Sequence, residues 1–373
     1  MAKFKNFLKS EIVLVIAFIL AVGSAFFVPP DLGYLEYVDL RTLSLLFCLM
    51  TVTAGLAKLG LFNNLSNSLL RHTKTSKSAI MMMTLICFFS SMLITNDVAL
   101  ITFVPFTLIL LRLSNTETLM IPAVVLETVA ANLGSSLTPI GNPQNLYLYS
   151  KFNLSLPVFL LTLLPYSALS LALIVVGCLL IKGTSLNHIR SVPSVQIDPK
   201  KLAVYIALFI LAMLTVLHII PYYILLLVTA AAVLIFDRKV FLKVDYSLLF
   251  TFAFLFVFIG NLGRIAPISQ FLSNIIDGNE VPVAVLSSQA FSNVPAAILL
   301  SEFTTNAKDL LVGVNLGGLG TLIASMASLI SFRFVAFECK RKGEGGQGKY
   351  LLWFTIVNVL FLAANMILWY FIK

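Results

Sequence analysis

The sequence predicts an all-α polytopic membrane protein, and three observations carry that prediction. Of 373 residues, 59% are hydrophobic and only 11% charged, where a soluble domain has about a quarter charged residues. Apolar runs of 17 to 25 residues recur from end to end, each long enough to cross a ~30 Å hydrocarbon core as a helix. Alternating ten-residue segments of the β-barrel kind are absent, which argues against a barrel. The net charge of +9 therefore reads as cytoplasmic-loop Lys and Arg rather than as a nucleic-acid footprint. The expected partners are a lipid bilayer and a small ion, with no nucleic acid.

The first run, "EIVLVIAFILAVGSAFFVPP", follows Lys3, Lys5 and Lys9. A signal peptide begins similarly, but this run is long and further apolar segments follow, so it reads as the first transmembrane helix. Crossings are expected at 11–29, 40–61, 119–150, 157–181, 202–219, 222–236, 246–263, 308–335 and 350–371. That is about nine full crossings, or 11 if hairpin arms are counted differently. The region 281–303 has arms of about ten residues on either side of Asn293, half the core thickness at ~1.5 Å per residue, and is expected to be a re-entrant hairpin. The longer arms of 78–113 fit either a hairpin or two spans.

An internal repeat decides between them. "GLAKLGLFNNLSN" (55–67), "SSMLITNDVAL" (90–100) and "NLGSSLTPIGNPQNL" (132–146) recur in order as "NLGRIAPISQFLSN" (261–274), "SSQAFSNVPAA" (287–297) and "NLGGLGTLIASMASL" (315–329). The division is 1–190 as first repeat, 191–220 as linker with a connecting helix, and 221–373 as second repeat. If both hairpins return to their own side, the repeats are inverted, with two re-entrant hairpins and two broken helices. The N-terminus then lies inside and the C-terminus outside a cytoplasmic membrane. Only Arg41, Lys151, Arg264, Lys308 and Lys373 of the 25 Lys and Arg fall outside, as the positive-inside rule requires.

Polar chain at membrane depth survives only inside protein or along a wet cavity. The stretch 132–145 contains helix breakers and hydrogen-bonding side chains, so it reads as a half-helix, an unwound loop and a second half-helix. Asn142 stands as N-cap and Pro143 at N1 of that second half. The hairpin tips repeat the device, with Asn96 or Asp97 capping the arm from Val98, and Asn293 preceding Pro295. Helix N-termini suit an anion, whereas unwound carbonyls and Ser, Thr or Asn oxygens suit a small cation. Discontinuous helices meeting at midplane form the pattern of a secondary transporter site.

Asp97 stands at a hairpin tip where the second repeat has Val294, which makes it the preferred H⁺- or Na⁺-coupling residue. Glu127, five residues before Asn132, is the second coupling candidate, with a structural interhelical hydrogen bond as its alternative role. Lys58 and Arg264 are expected to snorkel at the interface, and Glu302 and Asp309 to be solvated. His72, His188 and His218 sit in loops or at helix ends. Cys48, Cys87, Cys178 and Cys339 have no paired spacing and read as packing residues. No "HExxH", serine–histidine pairing or P-loop is present, so an enzyme is not expected. Two hairpins entering from opposite faces favour alternating access over a channel.

"TNDVALITFVP", "ANLGSSLTPIGNPQNL" and "SNVPA" resemble signature segments of the ion transporter superfamily. The likeness is strongest to its arsenite permease branch of the ArsB/NhaD type, with divalent anion/sodium symporters and citrate transporter-like proteins as further relatives. The order of features is similar over roughly residues 10 to 371. The resemblance implies a homodimer with scaffold helices and a mobile transport domain, and no cofactor beyond Na⁺ as a candidate coupling ion. It also implies that Asn96, Asn132, Thr138, Asn142, Asn293, Asn315 and Thr321 line the site. Thr95, Gly134, Ser135, Ser136, Gly141, Pro143, Asn145, Ser292, Gly317, Gly318 and Ser325, from the same motifs, complete the candidate ion-binding set. Two departures stand out. "TLIASMAS" lacks both prolines and the Asn-Pro cap of "TPIGNPQN", and the first tip has Thr-Asn-Asp where carboxylate symporters have Ser-Asn-Thr. The expected cargo is a small anion or oxyanion, arsenite-like or a di- or tricarboxylate such as citrate, moved with H⁺ or Na⁺. The alternative is Na⁺/H⁺ antiport.

Overall fold

A computed structural model describes residues 11–70, 73–184, 196–342 and 346–373. Lys3, Lys5, Lys9, His72 and His188 lie outside the described residues. Eighteen α-helices follow one another and no strand occurs among the described residues. They are α1 (Ile12–Ala25), α2 (Tyr34–Tyr37), α3 (Leu40–Lys58), α4 (Leu61–Leu70), α5 (Ser76–Ile94), α6 (Asn96–Leu113), α7 (Met120–Ser135), α8 (Pro143–Lys151) and α9 (Leu156–Leu180). The second part continues with α10 (Pro199–Val216), α11 (Tyr222–Asp237), α12 (Tyr246–Arg264), α13 (Ala266–Ile276), α14 (Glu280–Phe291), α15 (Asn293–Leu300), α16 (Ala307–Leu316), α17 (Met326–Lys342) and α18 (Gln347–Ile372). Eight helical stretches among the described residues are long and apolar enough to cross a membrane. The chain is an all-α polytopic membrane protein.

Local chemistry starts these helices where the chain requires it. Asp39 accepts from Thr42 N–H ahead of α3, and Thr75 with Ser78 forms a capping box on α5. Asp198 caps α10 with Pro199 behind it, and Asp245 and Asn306 cap α12 and α16. Each side chain satisfies N–H groups that have no partner within their own helix. Large apolar side chains such as Phe18, Leu161, Leu227 and Leu360 stay exposed on α1, α9, α11 and α18. Burial in lipid accounts for them, since hydrocarbon needs no polar cover.

Several expected bounds shift. The run 11–29 is helical only over Ile12–Ala25, 14 residues, because the chain turns before Pro29 and Pro30. The arms of the first hairpin, 19 and 18 residues, are each long enough to span a membrane, whereas those of the second have 12 and 8. The second half of the second broken helix runs past 335 to Lys342. Lys58 and Arg264 do not merely snorkel: Lys58 pairs with Asp237 at 2.6 Å and Arg264 with Asp31 at 2.7 Å. The Arg264 guanidinium holds the Asp31 carboxyl below the usual carboxylate range. Glu302 is not simply solvated either, since it pairs with Lys151.

Candidate ion-binding site

The two hairpins turn on residues with the same unusual backbone. Thr95 has φ 72°, ψ 152° and Ser292 has φ 73°, ψ 154°. This region belongs almost only to glycine and costs about 1–3 kcal/mol for other residues. Both turns are followed by the same contact. Asn96 N–H donates to the Gly141 carbonyl at 3.2 Å, and Asn293 N–H to the Ala324 carbonyl at 3.0 Å. Thr138 Oγ1 donates to the Met92 carbonyl at 2.5 Å and Thr321 Oγ1 to the Gln289 carbonyl at 3.5 Å. Gly134 faces Ser91, as Gly317 faces Ser288. In the alignment of the repeats these are equivalent positions, so each tip is pinned to the unwound loop of its own broken helix.

The halves also meet each other reciprocally. Asn132 Nδ2 donates to Ser328 Oγ at 3.3 Å, and Asn315 Nδ2 to Asn145 Oδ1 at 2.7 Å. Asn132 is equivalent to Asn315, and Asn145 to Ser328. A pair of contacts exchanged in this way is what a two-fold relation generates. Asn132 Oδ1 also accepts from Asn96 Nδ2 and from Ser325 Oγ, both at 3.0 Å. One buried asparagine thus joins the first tip to the second loop.

Asn145 is the other hub. Its amide nitrogen lies 3.4, 3.0 and 3.2 Å from the carbonyls of Ser135, Ser136 and Thr138. The Ser135 and Ser136 carbonyls lie where α7 ends and have no helical partner, while that of Thr138 also accepts from Gly141 N–H at 3.3 Å. Gln289 serves the second loop in the same way, donating to Gly317 and Leu319 and accepting from Thr321 N–H at 2.9 Å. Asn145→Ala would leave the buried Ser135 and Ser136 carbonyls without this donor, at about 1–3 kcal/mol each. The variant is expected to lower the apparent thermal midpoint in detergent, whereas Asn145→Asp, which removes the donors and keeps an oxygen, should do so at least as strongly.

A cavity of about 100 Å³ lies beside the first tip, lined by Thr95, Asp97, Val98, Ile140, Asn142, Pro143 and Leu146, by Leu46, Leu49, Met50, Thr53 and Ala54 of α3, and by Lys243, Asp245 and Leu248. The N-termini of α6 and α8 both open on it, so two helix dipoles point there. Asn142 is the N-cap of α8, but its side chain makes no capping bond, and its buried Oδ1 has no partner. The expected capping by Asn96 or Asp97 does not occur either. Helix α6 begins at Asn96, whose Oδ1 accepts from Asp97 N–H. Lys243 forms no ion pair among the described residues.

The remaining candidates separate. Pro143 lines the cavity; Ser135, Ser136 and Gly141 form the buried first loop; and Gly318 leaves room for the Asn293 amide. Thr321 is exposed rather than in the buried site. Glu127 stands apart from the cavity, fully buried, with Thr107 Oγ1 at 2.5 Å from its Oε1. Sequence reasoning missed Gln289, Ser328, Lys243 and Asp245. Gln289 had a signal, a lone amide in an apolar hairpin arm; Lys243 and Asp245 had none, because their loop reads as ordinary cytoplasmic charge.

A citrate transporter family model matches residues 4–330 of this chain. The chain belongs to the citrate transporter family. An uncharacterized transporter of Methanocaldococcus jannaschii, MJ0456, is 36% identical over 332 residues, covering 87% of this chain and 88% of that one. The Escherichia coli inner membrane protein YbiR is 32% identical over 323 residues, with 84% and 85% covered. The rice silicon efflux transporter LSI3 is 34% identical over 128 residues, covering 34% of this chain and 26% of that one. As a member of this family the protein is a membrane transporter, and its paired broken helices are the elements a transporter of this kind requires.

Proposed function

We propose that the protein is a secondary transporter of a small anion or oxyanion, coupled to H⁺ or Na⁺ through Asp97 by alternating access. The observation that carries this reading is the cavity at the first tip. Two helix N-termini, an unpartnered Asn142 oxygen and the Asp97 carboxylate converge there. The N-termini favour an anion and the oxygens a small cation, so cargo and coupling ion find opposite electrostatic features in one place. The family description supports a di- or tricarboxylate, and the rice relative's name adds silicon to the candidates beside arsenite.

In this reading the repeats are inverted in a cytoplasmic membrane, with the N-terminus inside. Two copies assemble as a homodimer. A second reading has its own support. The cavity holds Asp97 and Asp245 against Lys243 alone, a lining one negative charge in excess, which favours a cation and hence Na⁺/H⁺ antiport.

Proteoliposomes under imposed pH and Na⁺ gradients separate the two. Labelled citrate, arsenite, sulfate or a soluble silicon species should accumulate above the passive level when one gradient is present and not otherwise. Proton flux driven by Na⁺ with no anion present would select the antiporter. Absence of gradient-driven flux of either kind would overturn both.

A further inference from the structure

A second cavity, of about 450 Å³, is lined by Tyr147, Lys151, Phe256, Ile259, Gly260, Gly263, Arg264 and Glu302, with Glu36, Tyr37, Asp39 and Ile298. It shares two helices with the cavity at the first tip. Helix α8 gives Pro143 and Leu146 to the small cavity and Tyr147 and Lys151 to the large one. Helix α12 gives Leu248 to the small cavity, and Phe256, Ile259, Gly260 and Gly263 to the large one. Positions 248, 252, 256, 259 and 263 are spaced three or four apart, so they form one face of α12. Leu248 and Ile259 stand about 16 Å apart along the axis at ~1.5 Å per residue. The two cavities therefore lie at opposite ends of one helical face.

Three rings pack together where α8 meets this face, two of them, Tyr147 and Phe256, on the wall of the large cavity. Tyr147 stands 6.3 Å from Phe252 and 5.5 Å from Phe256, and the two phenylalanines are 5.9 Å apart, centroid to centroid. Their exposures are 3%, 0% and 5%, and Leu146 beside them has 1%. Tyr147 OH reaches Ser301 Oγ on the second hairpin at 2.9 Å, which orients the ring while its apolar edge packs on α12. The ring contacts are apolar, Lys151 Nζ stands 5.9 Å from the Tyr147 centroid as part of the large cavity's lining, and an ion crossing between the rings would shed its hydration without replacement.

We propose that Tyr147, Phe252 and Phe256 form the barrier that keeps the two cavities from joining, so that each cavity opens to one side of the membrane only. The barrier rests on reading the chain as an alternating-access transporter. It explains why Phe252, on the α12 face between Leu248 and Phe256, lines neither cavity. It also assigns the second hairpin a part in closure, through Ser301.

The test uses the full chain in liposomes, without substrate, and reads Na⁺ and H⁺ leak with entrapped dyes. Phe252→Ala and Phe256→Ala are each expected to raise the leak by about tenfold or more, since trimming a ring removes the dewetted constriction. Tyr147→Phe keeps the ring, loses the hydroxyl's contacts with Ser301 and Lys151, and should stay tight. A second readout needs no barrier variant. The native cysteines are all buried, so Leu248→Cys and Gly263→Cys, at a part-exposed and an exposed position lining the small and the large cavity, report against a silent background. A membrane-impermeant thiol reagent is expected to modify the first from one side only and the second from the opposite side only. Adding Phe256→Ala should make Leu248→Cys reactive from both.

An unchanged leak in alanine variants that elute as a single species, or modification of both cysteines from the same side, would overturn the barrier. If an alanine variant fails to fold, the sidedness of the two cysteines decides. Failure of the transporter reading would be seen differently, as absent gradient-driven flux in a wild-type protein whose cysteine sidedness is nonetheless as described.

Discussion

Asp97→Asn is expected to abolish gradient-driven uptake while leaving the protein folded. Removing one charged partner from a desolvated ion contact costs roughly 2–5 kcal/mol, a loss of about 30-fold or more at 1.4 kcal/mol per tenfold. The amide nearly matches the carboxylate in shape, and Asp97 forms no ion pair among the described residues. Its replacement should therefore leave elution and thermal midpoint close to wild type. Measured in proteoliposomes, the variant should exchange substrate passively and ignore both the pH and the Na⁺ gradient. Unchanged rate and gradient dependence would remove Asp97 from the coupling step. Glu127→Gln is the useful comparison, because Glu127 faces Thr107 and not the cavity.

Gly134→Ala is expected to be strongly destabilising for a conservative change. A Cβ there would lie 2.2 Å from the Phe88 carbonyl oxygen and 2.8 Å from Ser91 Oγ. The first neighbour is backbone in α5, which cannot rotate away, so α5 and α7 must separate. Overpacking of this kind costs about 1–3 kcal/mol, occasionally more, and a rigid neighbour places this site at the upper end. The expected result is a large fall in the apparent thermal midpoint in detergent, with loss of the single-species elution peak. Gly23→Ala, where nothing lies within 4 Å of the added carbon, should be neutral or slightly stabilising. Equal effects at the two glycines would show that the α5–α7 approach does not limit stability.

Periodicity and length alone made the helices legible, because lipid allows few other ways to satisfy a backbone. The breaks were legible as well. Pro139 and Pro143 cannot donate a helical N–H and Gly141 is a poor helix former, and the chain does leave α7 at Ser135, just past Gly134, and begin again at Pro143. Less was legible at the hairpin tips, where Asn96 and Asp97 looked like helix caps. Instead the turn falls on Thr95, in a backbone conformation no threonine advertises, and the Asn96 amide spans to Asn132.

Composition and motif order, then, by themselves determined the class of this protein: a helical membrane chain, interrupted twice at polar loops, with a carboxylate at one tip. Those properties follow from local physics, since hydropathy, proline and glycine act where they stand. Only the tertiary structure decided which polar groups are used up and which stay free. Asn132 and Asn145 are consumed as hubs, Asn142 keeps an unpartnered oxygen, and Lys243 and Asp245 come to the same cavity from a loop about 150 residues away, a juxtaposition produced by packing that no local pattern encodes. The aromatic layer between the cavities has the same origin. Tyr147, Phe252 and Phe256 read as ordinary core residues until α8 and α12 are laid side by side.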